Sequence, residues 1–113
     1  MFGKESGLFC PSGTMTNQIA INMHTRPGDE VICDTSAHIY NFEGGGISRN
    51  SGVQARLIQG DRGRISAVQV QESINADFDW LTRTRLVEIE NTCNRAGGSF
   101  YDLGTMEEIS SIC

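Results

Sequence analysis

Pro11-Ser12-Gly13-Thr14-Met15-Thr16-Asn17-Gln18 is followed, after Arg26-Pro27-Gly28, by Val31-Ile32-Cys33, and the two stretches read as a helix that feeds a strand. Met15, Ile19 and Met23 recur at every fourth position with Ala20 alongside, which makes one apolar helix face. Ser12 or Thr14 supplies the amino-terminal cap. Pro27 forbids continuation and Gly28 is free to take a left-handed closing conformation. Val31-Ile32-Cys33 is then a short apolar strand of the kind buried on both faces.

The same alternation continues outward. The sequence predicts a brief helix from His38 to Glu43 that stops at Gly44-Gly45-Gly46, and a strand from Val53 to Ile58 closed by Gln59-Gly60-Asp61-Arg62-Gly63. A helix follows over Ser66 to Ile74, then a strand over Leu86 to Ile89 and a helix from Met106 to Cys113. Short strands alternating with helices specify an α/β fold with a mostly parallel sheet covered on both faces, here a partial three-layer α/β/α arrangement. Only three or four strands are present and the last helix meets Cys113, so residues 1–113 read as an internal fragment of one larger domain with no complete second domain.

Composition narrows the function. The chain has 113 residues, a net charge of -5 and no stretch of about 18 apolar residues, so it expects neither nucleic acid nor membrane as a partner. Cys10, Cys33, Cys93 and Cys113 contain no Cys-x-x-Cys pair, so no metal site is expected. Their apolar surroundings indicate free thiols in a reducing cytoplasm; a disulfide framework is the alternative. Met1-Phe2-Gly3-Lys4-Glu5 does not have the form of a secretory leader.

Gly-x-Gly-x-x-Gly and the P-loop pattern are both missing, which leaves Ser12-Gly13-Thr14 as the candidate anion cradle. Small residues at a helix start let a ligand approach free N–H groups and the positive end of the helix dipole. A plain helix cap would use the same residues. His38 falls in the loop beyond the carboxyl end of a strand, where ligands gather in parallel sheets; it is either a stacking or proton-exchanging residue or a solvated loop histidine. His24 suits the carboxyl end of the first helix and reads as structural. Cys93 paired with His38 would be the nucleophile of a thiol hydrolase, and Arg83 and Arg85 read as exposed flanks of a strand.

Taken together, these pieces resemble the low-specificity L-threonine aldolases of the β-eliminating lyase group, which are fold type I pyridoxal-phosphate enzymes. The matching stretches are Phe2-Gly3-Lys4-Glu5, Gly7-Leu8-Phe9, Pro11 to Gln18, His24 to Cys33, Ala37-His38-Ile39-Tyr40, Glu43-Gly44-Gly45, Ser51-Gly52-Val53-Gln54, Glu90-Asn91-Thr92 and Asn94 to Gly98. The resemblance implies that the chain is part of the large cofactor-binding domain. It implies that Ser12, Gly13 and Thr14 bind the phosphate of pyridoxal 5′-phosphate and that His38 stacks on its ring close to the substrate hydroxyl. It also implies cleavage of a β-hydroxy-α-amino acid, L-threonine or L-allo-threonine, to glycine and acetaldehyde, in an enzyme that works as a homo-oligomer.

Two departures stand out. The family motif usually reads Glu-Asn-Thr-His-Asn, and here Cys93 takes the histidine position. The Schiff-base lysine has no counterpart, since the sole lysine, Lys4, lies upstream of the phosphate motif. A 113-residue piece without that lysine is expected to be inactive alone. Another fold type I enzyme, such as an aminotransferase or a different β-eliminating lyase, remains an alternative, as does a non-catalytic flavodoxin-like module using the Ser12-Gly13-Thr14 turn.

Overall fold

The computed structural model describes residues 3–113. Phe2, in the first matching stretch, and Met1-Phe2, at the start of the leader reading, lie outside the described residues. The middle layer is a parallel three-stranded sheet built from β1 (Glu30–Asp34), β2 (Gln54–Ile58) and β3 (Thr84–Val87), with β1 in the centre. Every residue of β1 is buried. Alternation along it divides the core in two. Val31 and Cys33 pack with Ile21, Ala37, Ile39 and Ile47 on one face, under α1 (Gly13–His24), α2 (His38–Asn41) and α3 (Gly46–Ser51). Ile32 packs with Ile58, Val70, Cys93, Tyr101 and Ile109 on the other, under α4 (Ala67–Ser73) and α5 (Leu103–Ile112). This is the expected α/β/α layering around a parallel sheet.

The caps are local and legible. Ser12 Oγ accepts from the Met15 amide at 3.1 Å and starts α1. Ser66 and Gln69 form a reciprocal capping box that starts α4. Asp102 Oδ1 accepts from the Thr105 amide at 2.8 Å and starts α5 at Leu103, three residues before the expected Met106.

Glu30, at the amino end of β1, is fully buried and tied to five neighbours. Its carboxylate accepts from Arg56 Nε at 2.8 Å and from Gln54, Asn75, Thr82 and Thr84. Burial raises its pKa, but Arg56 and the threonine hydroxyls more than offset this and hold it below the ordinary carboxylate value. One charge thus joins all three strands at the end of the sheet away from the loops that follow them.

Three expectations need correction. The face of α1 formed by Met15, Ile19 and Met23 is not the core face: Gln18, Ile21 and Thr25 are buried instead, and Met23 is 75% exposed. Helix α1 is apolar on two sides, and the polar Gln18 is drawn inward by a buried carboxylate partner, Glu43. Second, α2 ends at Asn41, just before the glycine triplet, but a further helix that the sequence did not announce follows the break. Gly45 takes a left-handed conformation (φ 70°) and α3 starts at Gly46. A Cβ at Gly46 would come within 2.3 Å of the Gln18 side chain, so glycine is what lets α3 lie against α1. Third, the last strand lies at Thr84–Val87, not Leu86 to Ile89, because Thr84 is drawn to Glu30 while Glu88 and Ile89 run on toward the loops. The Glu88 amide still donates to the Ile32 carbonyl at 2.8 Å, which fixes where that run begins. Arg83 and Arg85 are exposed, as expected.

Candidate active site

Parallel strands all point their carboxyl ends to one edge, and ligand sites of such sheets form there. At that edge a cleft of about 580 Å³ is lined by Gly13, Thr14 and Asn17 from α1, by His38, and by residues from Glu88 to Asn91 beyond β3. Helix geometry leaves the first amides of α1 with no carbonyl one turn back, so Gly13 and Thr14 offer N–H groups at the positive end of the dipole. A Cβ at Gly13 would meet nothing within 4 Å, so this turn opens onto free space.

His38 is delivered by the end of β1. Asp34, buried, accepts from the Ser36 amide at 2.7 Å and the Ser36 hydroxyl at 2.6 Å through Oδ1, and from the Gly60 amide at 2.8 Å through Oδ2. That clamp fixes the turn before His38. The His38 amide donates to Glu90 Oε2 at 3.3 Å, and its ring Nδ1 lies 3.0 Å from Glu43 Oε1. Its ring also meets Phe42, with centroids 5.4 Å apart, and the Arg95 guanidinium sits over the other ring at 5.3 Å.

The charge distribution is lopsided. Glu43, Glu88 and Glu90 gather near the imidazole. Burial pushes Glu88 up, the charges of Glu90, Glu43 and Asp34 add to this, and its pKa reaches about 7. Glu88 Oε2 is buried and has no hydrogen-bond partner. Burial also acts to raise Glu43, but hydrogen bonds from Gln18, Asn17 and His38 outweigh it and hold Glu43 below the ordinary value.

Gly13, Thr14 and His38 therefore share one cleft. Ser12 stands at its margin: its hydroxyl is engaged as the helix cap, and it lines a neighbouring groove of about 520 Å³ that Thr14 also borders. His24 closes α1 outside the cleft. Cys93 does not pair with His38. It is 1% exposed, packs in the second core, and its thiol donates to the Glu90 carbonyl at 2.9 Å. The cysteines are all free thiols, and burial drives Cys33 up to about 12. Among the described residues no group of three or more His, Cys, Asp or Glu is placed to hold a metal ion, and no helix is long and apolar enough to cross a membrane.

Residues 1–113 match the β-eliminating lyase family from end to end. The chain belongs to that family. Its relatives include a low-specificity L-threonine aldolase of Arabidopsis thaliana, 34% identical over 99% of this chain and 32% of the relative. That of Saccharomyces cerevisiae is 34% identical over 100% of this chain and 30% of the relative. A solved threonine aldolase from Leishmania major superposes with a TM-score of 0.81 at 27% identity, covering 90% of this chain and 29% of that one. The chain thus spans about 30% of the relatives it matches. Seen as a β-eliminating lyase, its cleft contains Asn17 and Glu88, with Glu43 bonded to His38 behind it, three residues that the sequence did not single out as ligands. Asn17 carried no pattern signal, and Glu88 read as an ordinary strand residue. Glu43 did carry one: it lies five residues beyond His38, across a helix of a single turn, which returns both side chains to the same side.

Proposed function

We propose that this chain supplies the phosphate-holding turn and the ring-stacking histidine of a pyridoxal-phosphate-dependent carbon–carbon lyase. The substrates are L-threonine and L-allo-threonine, cleaved to glycine and acetaldehyde, and the chain is part of the enzyme's large catalytic domain. The reading is carried by one observation: the start of α1 and the imidazole of His38 line the same cleft. Family membership and the aldolase relatives support it.

The cleft residues fit the cofactor. Open space beside Gly13 and the free amides of the first turn suit a dianion, and the acidic side around Glu88 and Glu90 suits the protonated part of the same molecule. When bound, pyridoxal 5′-phosphate supplies an electron sink for the bond between Cα and Cβ of an amino acid. The residues of this chain do the rest of the work assigned here. Gly13 and Thr14 hold the phosphate through backbone N–H groups, with the Thr14 hydroxyl added and Ser12 keeping the helix start in place. His38 offers its ring face to a planar partner and a ring nitrogen to the proton of the β-hydroxyl. Free thiols support a reducing, cytoplasmic setting. The assembly is proposed to be a homo-oligomer.

Pyridoxamine 5′-phosphate tests the site without chemistry at Lys4, because it carries no aldehyde. Calorimetric titration of the chain is expected to show binding that weakens at least about tenfold when the phosphate is removed, the value of one or two charge-assisted hydrogen bonds, and that weakens again in His38→Ala. Equal binding of pyridoxamine with and without its phosphate would overturn the reading.

A further inference from the structure

We propose that Glu43 is a positioning residue of this site: its carboxylate fixes the proton of the His38 imidazole on Nδ1 and leaves Nε2 as the bare acceptor nitrogen. The inference deepens the lyase reading and rests on it, since it names what prepares His38 to take a hydroxyl proton.

The hydrogen-bond geometry favours Nδ1 as the donor. The Glu43 side chain is fully buried, whereas that of His38 is 34% exposed. Glu43 Oε1 accepts from Asn17 Nδ2 at 2.7 Å and Oε2 accepts from Gln18 Nε2 at 2.6 Å. The orientation of Gln18 is itself fixed, because its Oε1 accepts from Asn50 Nδ2 at 3.2 Å, so its N–H end is the one that faces Glu43. Gly46 leaves room for that side chain, since a Cβ there would come within 2.3 Å of it. With an N–H donor on each oxygen, Glu43 is an ionised acceptor. The His38 nitrogen 3.0 Å away must then be the one that carries hydrogen. Among the described residues Nε2 has no partner. The other charges facing His38 are Glu90, which accepts from its backbone amide, and Glu88; neither bonds the ring.

The arrangement also joins the two ends of the cleft. Asn17 and Gln18 lie one turn after Gly13 and Thr14 on α1, and Asn17 lines the cleft.

Nitrogen-15 NMR of the ligand-free chain, at a pH well above the ordinary imidazole pKa of about 6.5, reads the tautomer directly. A pyrrole-type signal at Nδ1 and a pyridine-type signal at Nε2 are expected; the reverse assignment in the unsubstituted chain overturns the proposal. In Glu43→Gln the ratio is expected to move about tenfold toward the Nε2–H form, the loss of one charge-assisted hydrogen bond. An unchanged ratio in a folded Glu43→Gln chain overturns it equally. The lyase reading fails separately: pyridoxamine 5′-phosphate that does not bind, beside an intact Nδ1–H tautomer, removes the enzyme and leaves the role of Glu43 standing.

Discussion

Glu88 shows how a single residue can oppose the fold that contains it. Its carboxyl is pushed up by burial and by Glu90, Glu43 and Asp34 to about 7 from an ordinary value of 4.5. A carboxyl with a raised folded pKa binds more protons folded than unfolded between those values, so stability falls as pH rises through them. The cost is absent below pH 4.5 and complete above about 7. Glu88→Gln removes the charge at nearly constant shape. It is expected to stabilise the chain by on the order of 2 kcal/mol at pH 8, with the gain vanishing near pH 4.5. Urea denaturation at the two pH values checks this, and a gain that does not depend on pH would contradict it. A residue that lowers stability while facing a ligand cleft fits a functional constraint.

At the level of elements, the buried network around Glu30 is what registers the strands. It binds β2 through Gln54 and Arg56, β3 through Thr84, and the connection before β3 through Asn75 and Thr82. Glu30→Ala strands the Arg56 guanidinium and several donors, and is expected to cost about 3 kcal/mol at neutral pH. Because the folded pKa of Glu30 is lowered, its contribution is present above the unfolded value of 4.5 and is lost as pH falls through the folded one. A denaturation midpoint unchanged by Glu30→Ala would contradict this. Much of the architecture was legible because caps and breakers are local: Ser12, Pro27 and Ser66 mark their helices by chemistry within one turn. The buried face of α1 was not, since Met15, Ile19 and Met23 have the right spacing but Gln18 has the decisive partner, a carboxylate 25 residues away in sequence. Helix α3 was missed because a glycine triplet signals a break, and only the tight approach to Gln18 shows why the helix resumes there.

The whole molecule brings distant residues to one edge of the sheet. Gly13, Thr14 and His38 were readable as candidates because each falls at a helix start or beyond a strand end. Their meeting depends on strand order, with β1 central, which local patterns do not encode. Glu88 came into the cleft for the same reason, since β3 lies beside β1 and continues past it. The most direct test is a pyridoxamine 5′-phosphate titration followed by proton–nitrogen NMR. The amides of Gly13 and Thr14 and the ring of His38 are predicted to shift together along a single saturation curve. Shifts confined to either group, or saturating at different concentrations, would contradict one small molecule held between them.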